Sequence, residues 1–269
     1  MMSNNKCLFS NGIEEYLKFP FEKIQLNFLR FCLGVHKKST NIAVLSEVGR
    51  YPLTLKILNS MCKNWLRIVH MKPESLLYDC FLCNAENIHT GEFHWLTCVR
   101  DTLCNLDFTV IWENIGLLTD DFPTSKFVEN IRKHFINQWQ TEMNINSGTD
   151  KKLRTYTKFK RKFEIENYLL TVKDWFIKKN ITRFRISAHN LKIETGRHRR
   201  PQKTPLEERV CEICNKVEDE MHVILYCKIY DSERTVLFNE TTDIFPTFTT
   251  LGDQEKIIFL MNVDDTEKK

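Results

Sequence analysis

With 269 residues and 42% hydrophobic content, the chain can bury one substantial core or two small ones. No run of about 18 uncharged apolar residues occurs, which argues against a membrane span; the start, MMSNNKCLFSNGIEEYLKF, has an acidic pair and lacks the apolar segment of a secretory signal. The formal net charge of +4 conceals an asymmetry, because residues 151–203 hold 17 Lys/Arg against 4 Asp/Glu (+13) and the remainder holds 22 against 31 (−9).

Eight glycines and seven prolines are few for a protein of many short strands, and long polar-apolar periodic stretches dominate, so the expected fold is mainly α. Residues 22–34 read as a helix with Ile24, Phe28 and Phe31 on one stripe and Gly34 as its stop. Thr40 is placed to cap a short helix carrying Ile42, Val44, Leu45 and Val48, ended by Gly49 and Pro52. Over 53–70, Leu55, Leu58, Cys62, Trp65, Leu66 and Val69 trace the clearest amphipathic pattern. Further helices are expected over 74–84, 93–106 and 124–143, the last with Phe127, Ile131, Phe135 and Trp139 recurring every fourth residue. The expected core of this bundle-like part, residues 1–148, includes Phe28, Leu58, Trp65, Phe127, Ile131 and Trp139. Cys80, Cys83, His89, His94, Cys98 and Cys104 crowd together, but their helical spacing reads as core thiols rather than a second metal site.

A loop at 144–149 is the preferred boundary before a basic helical segment and linker over 149–205. There Tyr156, Phe159, Phe163 and Tyr168 interleave with Lys158, Lys160, Arg161 and Lys162, a pattern that on a helix packs the rings inward and leaves the lysines wet. A helix over 180–193 would put Ile181, Phe184, Ala188 and Leu191 on one face and Arg185, His189 and Lys192 on another, a phosphate-facing ridge. TGRHRRPQKTP (195–205) reads as a flexible linker. The charge block itself points to phosphate backbones, whose neutralisation releases counterions, with a merely solvated face as the alternative.

Cys211, Cys214, His222 and Cys227 follow, spaced C-x2-C-x7-H-x4-C. Three thiolates and an imidazole can close a tetrahedral shell around one zinc ion. Two surface cysteines beside an unrelated buried pair would be the other reading; zinc is preferred because all four lie in one short segment that also holds Glu218, Asp219 and Glu220. His222 and Cys227 would fall on different faces of an ideal helix, so the turn between them must loosen. The expected module spans 206–240, with a short helix through Tyr230, Arg234 and Leu237, and an acidic tail, 241–269, is expected to be loose.

Three stretches together, TNIAVLSEVGRYPL (40–53), RFRISAHNLKIETGRHRR (183–200) and RVCEICNKVEDEMHVILYCKIYDSER (209–234), resemble the region downstream of the polymerase domain in reverse-transcriptase-like open reading frames of animal non-LTR retrotransposons. The resemblance covers about residues 24–235. It implies a helical thumb-like part, a linker and a zinc-knuckle-like terminus that bind RNA or DNA, with Cys211, Cys214, His222 and Cys227 as ligands and a polymerase domain as a possible partner. The gap of seven residues before His222 departs from the four of retroviral knuckles.

No catalytic constellation accompanies these features. Asp120 and Asp121 sit before Pro123 in a loop or cap, and Asp264 and Asp265 lie beside the charged end, so neither pair suits a polymerase metal site. No P-loop, G-x-S-x-G or dinucleotide fingerprint is present. The expectation is a non-catalytic nucleic-acid-binding protein of the cell interior, nuclear or cytoplasmic, without small-molecule substrate or membrane partner. Phosphates would be held by Arg183, Arg185, His189, Lys192, Arg197, Arg199 and Arg200. A helical protein-interaction domain with a purely structural zinc, or a degenerate element product without selected function, are the alternatives.

Overall fold

The computed structural model describes residues 13, 17–86, 95–113 and 124–262. Among them every extended regular element is helical, and the only bridges are two isolated antiparallel ones, Val48 with Ile165 and Val210 with Val217. No helix among the described residues is long and apolar enough to cross a membrane. The chain divides into two compact units, Met1–Asn27 with Arg50–Glu142, and Phe28–Gly49 with Met143–Lys269.

In the first unit the helix Leu53–Val69 buries Leu55, Leu58, Cys62, Trp65, Leu66 and Ile68, one turn after another along a single face. Its first turn has no cap of its own, because Pro52 precedes it. Glu22 supplies one from elsewhere, its Oε1 accepting from both the backbone N–H and the hydroxyl of Thr54 at 2.6 Å. Trp95–Asn105 packs against this helix. The expected stripe of Thr124–Ile145 is the buried one, with Phe127, Ile131, Phe135 and Trp139 all 2% exposed or less. Phe108 meets Phe127 edge-on at 5.5 Å and Tyr51 meets Phe135 at 5.4 Å.

Two sequence expectations fail here. Ile24, Phe28 and Phe31 are 70%, 63% and 79% exposed, whereas Leu26, Leu29 and Leu33 are buried. The buried face of Pro20–Leu33 also carries Glu22 and Arg30, each hydrogen-bonded, and those two charges hid it from a search for apolar periodicity. The core-thiol reading holds for Cys98 but not for Cys80, Cys83 and Cys104, which are exposed; His89 and His94 lie outside the described residues, as do Asp120, Asp121, Asp264 and Asp265.

The second unit is organised around a buried arginine. Arg185 ends the helix Trp175–Arg185 and donates from Nε to Glu47 at 2.5 Å, and its Nη2 lies 2.5 Å from Glu166. The ring of Phe159 lies 4.6 Å from its guanidinium carbon and that of Tyr168 5.3 Å. Glu47 belongs to Asn41–Glu47, a short helix in which Ile42 through Glu47 are all buried. Gly49 closes that helix at φ +59°, and a Cβ there would lie 2.7 Å from the carbonyl carbon of Glu164 and closer still to the Ile165 nitrogen. Only glycine suits both the left-handed backbone and this approach.

Three further expectations are corrected in this unit. The 155–168 stretch is not one helix but two short turns, Tyr156–Phe159 and Asn167–Thr171, although Tyr156, Phe159 and Phe163 are buried as expected. The helix expected over 180–193 stops at Arg185, and Ser187 takes φ +53° to turn the chain inward. The helix expected through Arg234 and Leu237 is Asp231–Ile244, and the tail after it, expected to be loose, is helical at Pro246–Thr250 and Asp253–Met261. Phe238, Phe245, Phe248 and Phe259 form a ring cluster with centroids 5.0–5.5 Å apart, which gives this acidic stretch an apolar core.

Candidate metal centre and its buried ionic support

The segment that carries the four candidate ligands begins with a reversal. Val210 bridges Val217, the Cys211 N–H donates to the Lys216 carbonyl at 2.8 Å, and the Asn215 N–H donates back to the Cys211 carbonyl at 2.9 Å. Asn215 takes φ +52°, a conformation asparagine tolerates better than most residues. This turn places Cys211 and Cys214 side by side. The second pair comes from His222–Tyr226, a single π-helical turn in which the Cys227 N–H reaches back five residues to the His222 carbonyl at 2.7 Å. That widened turn is the loosening that the H-x4-C spacing demands. Asp219 fixes its start by accepting from the His222 N–H at 2.8 Å.

The four side chains converge. One ligand atom from each of Cys211, Cys214, His222 and Cys227 lies within 4.8 Å of every other, the only such Cys/His group among the described residues. The Cys227 sulfur is 3.8 Å from that of Cys211 and 4.0 Å from that of Cys214. The surroundings suit a thiolate at Cys211. The backbone N–H groups of Cys214 and Ile213 hold the Cys211 thiol down at about 6 against burial. Cys214 receives the Lys228 N–H at 3.4 Å. Burial pushes the Cys227 thiol up to about 11, opposed by the Ile229 N–H. His222 is buried, yet neither ring nitrogen has a hydrogen-bond partner. A buried imidazole with both nitrogens unsatisfied beside three sulfurs is a donor set that could hold a metal ion.

The acidic run between the ligands is structural, a role the sequence reading did not assign. Glu220 is fully buried and its carboxylate accepts from Arg154 Nη2 at 2.9 and 2.8 Å, Thr155 Oγ1 at 3.0 Å, Ser187 Oγ at 2.9 Å and His189 Nε2 at 2.8 Å. Burial alone would raise this carboxyl, but the His189 hydrogen bond and the Arg154 charge hold it at about 2. Arg154 also donates to Glu194 at 2.8 Å, and Arg197 meets the same oxygen at 3.1 Å. Glu218 accepts from the Lys192 N–H at 3.1 Å, and its carbonyl accepts from the Ile193 N–H at 3.2 Å. Gly196 lies under Arg209, where a Cβ would sit 2.8 Å from the side-chain carbons, and Arg209 donates to the Ile193 carbonyl at 3.0 Å. The three stretches 40–53, 183–200 and 209–234 therefore meet through Glu47–Arg185 and through Ser187 and His189 with Glu220.

These contacts redistribute the expected phosphate ridge. Arg185 has a side-chain exposure of 0% and belongs to the core, so it cannot meet a phosphate. His189 is turned inward to Glu220, and Arg197 to Glu194. Arg183 is half-buried and donates from Nε to the Gly34 carbonyl at 2.8 Å. Lys192 is paired with Glu212 at 2.7 Å, and Arg199 and Arg200 are exposed. The ridge failed because its helix ends at Arg185, so the later residues do not share that helix's faces. The 195–205 stretch is tied down, its Thr204 N–H donating to the Gly196 carbonyl at 3.0 Å. No protein-family model matches this chain, nor does any curated protein or solved structure.

Proposed function

We propose that this chain is a non-catalytic, nucleic-acid-binding portion of a non-LTR retrotransposon reverse-transcriptase-like protein, held in shape by one zinc ion on Cys211, Cys214, His222 and Cys227. The observation that carries the reading is the convergence of those four ligands within a segment that Glu220 fastens to the basic stretch. Zinc is the metal such a set favours: thiolate sulfurs at about 2.3 Å in a tetrahedron lie about 3.8 Å apart. The sulfur separations of 3.8 and 4.0 Å agree with that edge. All four positions are filled by protein, so the ion is structural and carries no open site for chemistry. Of the 17 cations in 151–203, only Arg154, Lys160 and Arg185 are buried in ion pairs, which leaves the segment's positive excess at the surface. Such an excess supplies backbone affinity without sequence choice.

The test joins metal analysis to binding. Purified protein should contain one zinc per chain, and its affinity for unrelated single-stranded RNAs and duplex DNAs should fall steeply and alike with salt. Absence of bound metal, or affinity insensitive to salt, sinks the proposal. A protein-interaction role is favoured by a different observation, the exposure of Trp175, Phe176 and Ile177 at 48%, 68% and 54% on one turn. Salt-insensitive capture of a protein partner lost on Phe176→Ala would select that reading.

A further inference from the structure

A cleft of about 530 Å³ in the second unit is lined by His36, Lys38, Lys152, Arg183, His189 and His198, a size within the roughly 300–1,000 Å³ usual for ligand sites. We infer that this cleft holds a backbone phosphate of the bound nucleic acid, with Lys38, Lys152 and Arg183 as its cationic contacts. The inference rests on the nucleic-acid reading above and gives it an address.

The charge balance of the lining is one-sided. Its only carboxylate, Glu194, already accepts from Arg154 at 2.8 Å and Arg197 at 3.1 Å. Two anchors place the cations: Lys152 Nζ donates to the Lys38 carbonyl at 3.3 Å, and Arg183 Nε to the Gly34 carbonyl at 2.8 Å. Lys38 is exposed and Lys152 half-buried, so the charges sit at the mouth and on the wall. Burial first, then the charges of Lys152 and Lys38, hold the His198 imidazole below the ordinary range. No Phe, Tyr or Trp lines the cleft, and three cations do, so charge is its main offer to a strand. Arg199 and Arg200 follow His198 in exposed positions, so a strand seated in the cleft would leave along them. Lys38 and Lys152 lie 114 residues apart in the chain, and only the fold brings them to one cleft.

The experiment uses the full-length zinc-loaded protein and measures fluorescence anisotropy with two unrelated 20-nucleotide RNAs across a salt series. Lys38→Gln with Lys152→Gln should lower affinity about tenfold or more at about 0.1 M salt and flatten the log-log slope by about 1.4, or roughly 0.7 per lost contact, equally for both RNAs. Lys38→Arg with Lys152→Arg should keep both. If the double variant loses its zinc or its helical signal, exposed Lys38→Gln alone should still cost several-fold. Unchanged binding in the Gln variants, while Arg199→Ala with Arg200→Ala weakens it, overturns the cleft and leaves the wider reading standing. A wild-type protein without salt-dependent RNA binding overturns both. Inorganic phosphate that binds at micromolar concentration and is not displaced by RNA would assign the cleft to a free anion and overturn the inference.

Discussion

Glu220→Gln should destabilise the second unit by about 3 kcal/mol although it changes one atom and touches no metal ligand. The carboxylate is 1% exposed and Arg154 only 8%. Removing one partner of such a buried pair costs about 3–5 kcal/mol, because the other charge stays buried. Glu194 still lies 2.8 Å from Arg154 but also serves Arg197, which places the expectation at the lower end of that range. The amide must also aim an N–H at groups that are themselves donors, since Arg154, Thr155, Ser187 and His189 all point at this carboxylate. Urea unfolding of the zinc-loaded protein, followed by far-ultraviolet circular dichroism, measures the loss. The pH dependence gives a second readout. The carboxyl is held at about 2 in the fold against 4.5 ordinarily, so its stabilisation is complete above about pH 4.5 and is lost as pH falls towards 2. The difference between wild type and Glu220→Gln should therefore shrink through that window, while metal loss common to both proteins cancels. A loss under about 1 kcal/mol at neutral pH, or a difference unchanged down to pH 2.5, would refute the reasoning.

Trp65→Ala should cost the first unit roughly 3–5 kcal/mol by thermal or urea unfolding, because the ring is 0% exposed and stacks on Trp112 at 5.8 Å. Phe28→Ala, at 63% exposure, should stay within about 0.5 kcal/mol in the same assay. Gly49→Ala should cost at least about 2 kcal/mol, from the left-handed backbone at φ +59° together with the clash against residues 164 and 165. Cobalt added to metal-free protein should give the visible absorption of a tetrahedral thiolate site at one equivalent, and Cys227→Ser should change that spectrum, whereas Cys80→Ser should not. In the salt series, Arg199→Ala with Arg200→Ala should reduce the RNA slope by about 1.4, and adding Arg197→Ala should reduce it little further because Arg197 is engaged with Glu194.

What the sequence determined by itself was local. Leu53–Val69 and the stripe of Phe127, Ile131, Phe135 and Trp139 were legible because periodicity of apolar residues alone dictates them. The convergence of Cys211, Cys214, His222 and Cys227 was legible because Cys and His at two short spacings have few other uses, and the widened turn at His222 answers the same spacing. The charged residues were decided by the tertiary structure. Arg185 and Arg199 look alike in the chain, yet one is held at 0% exposure by Glu47, 138 residues away, and the other is at the surface. The sequence reading found one apolar stripe on Pro20–Leu33, but the buried one is Leu26, Leu29 and Leu33, and the bonds of Glu22 to Thr54 and of Arg30 to Ser39 lie with it. The cleft of Lys38, Lys152 and Arg183 exists only because three segments of the second unit meet. Burial of an apolar side chain is favourable almost wherever the chain delivers it, so its pattern is written locally. Burial of a charge is favourable only opposite a particular partner, and that partner is known only once the chain has folded.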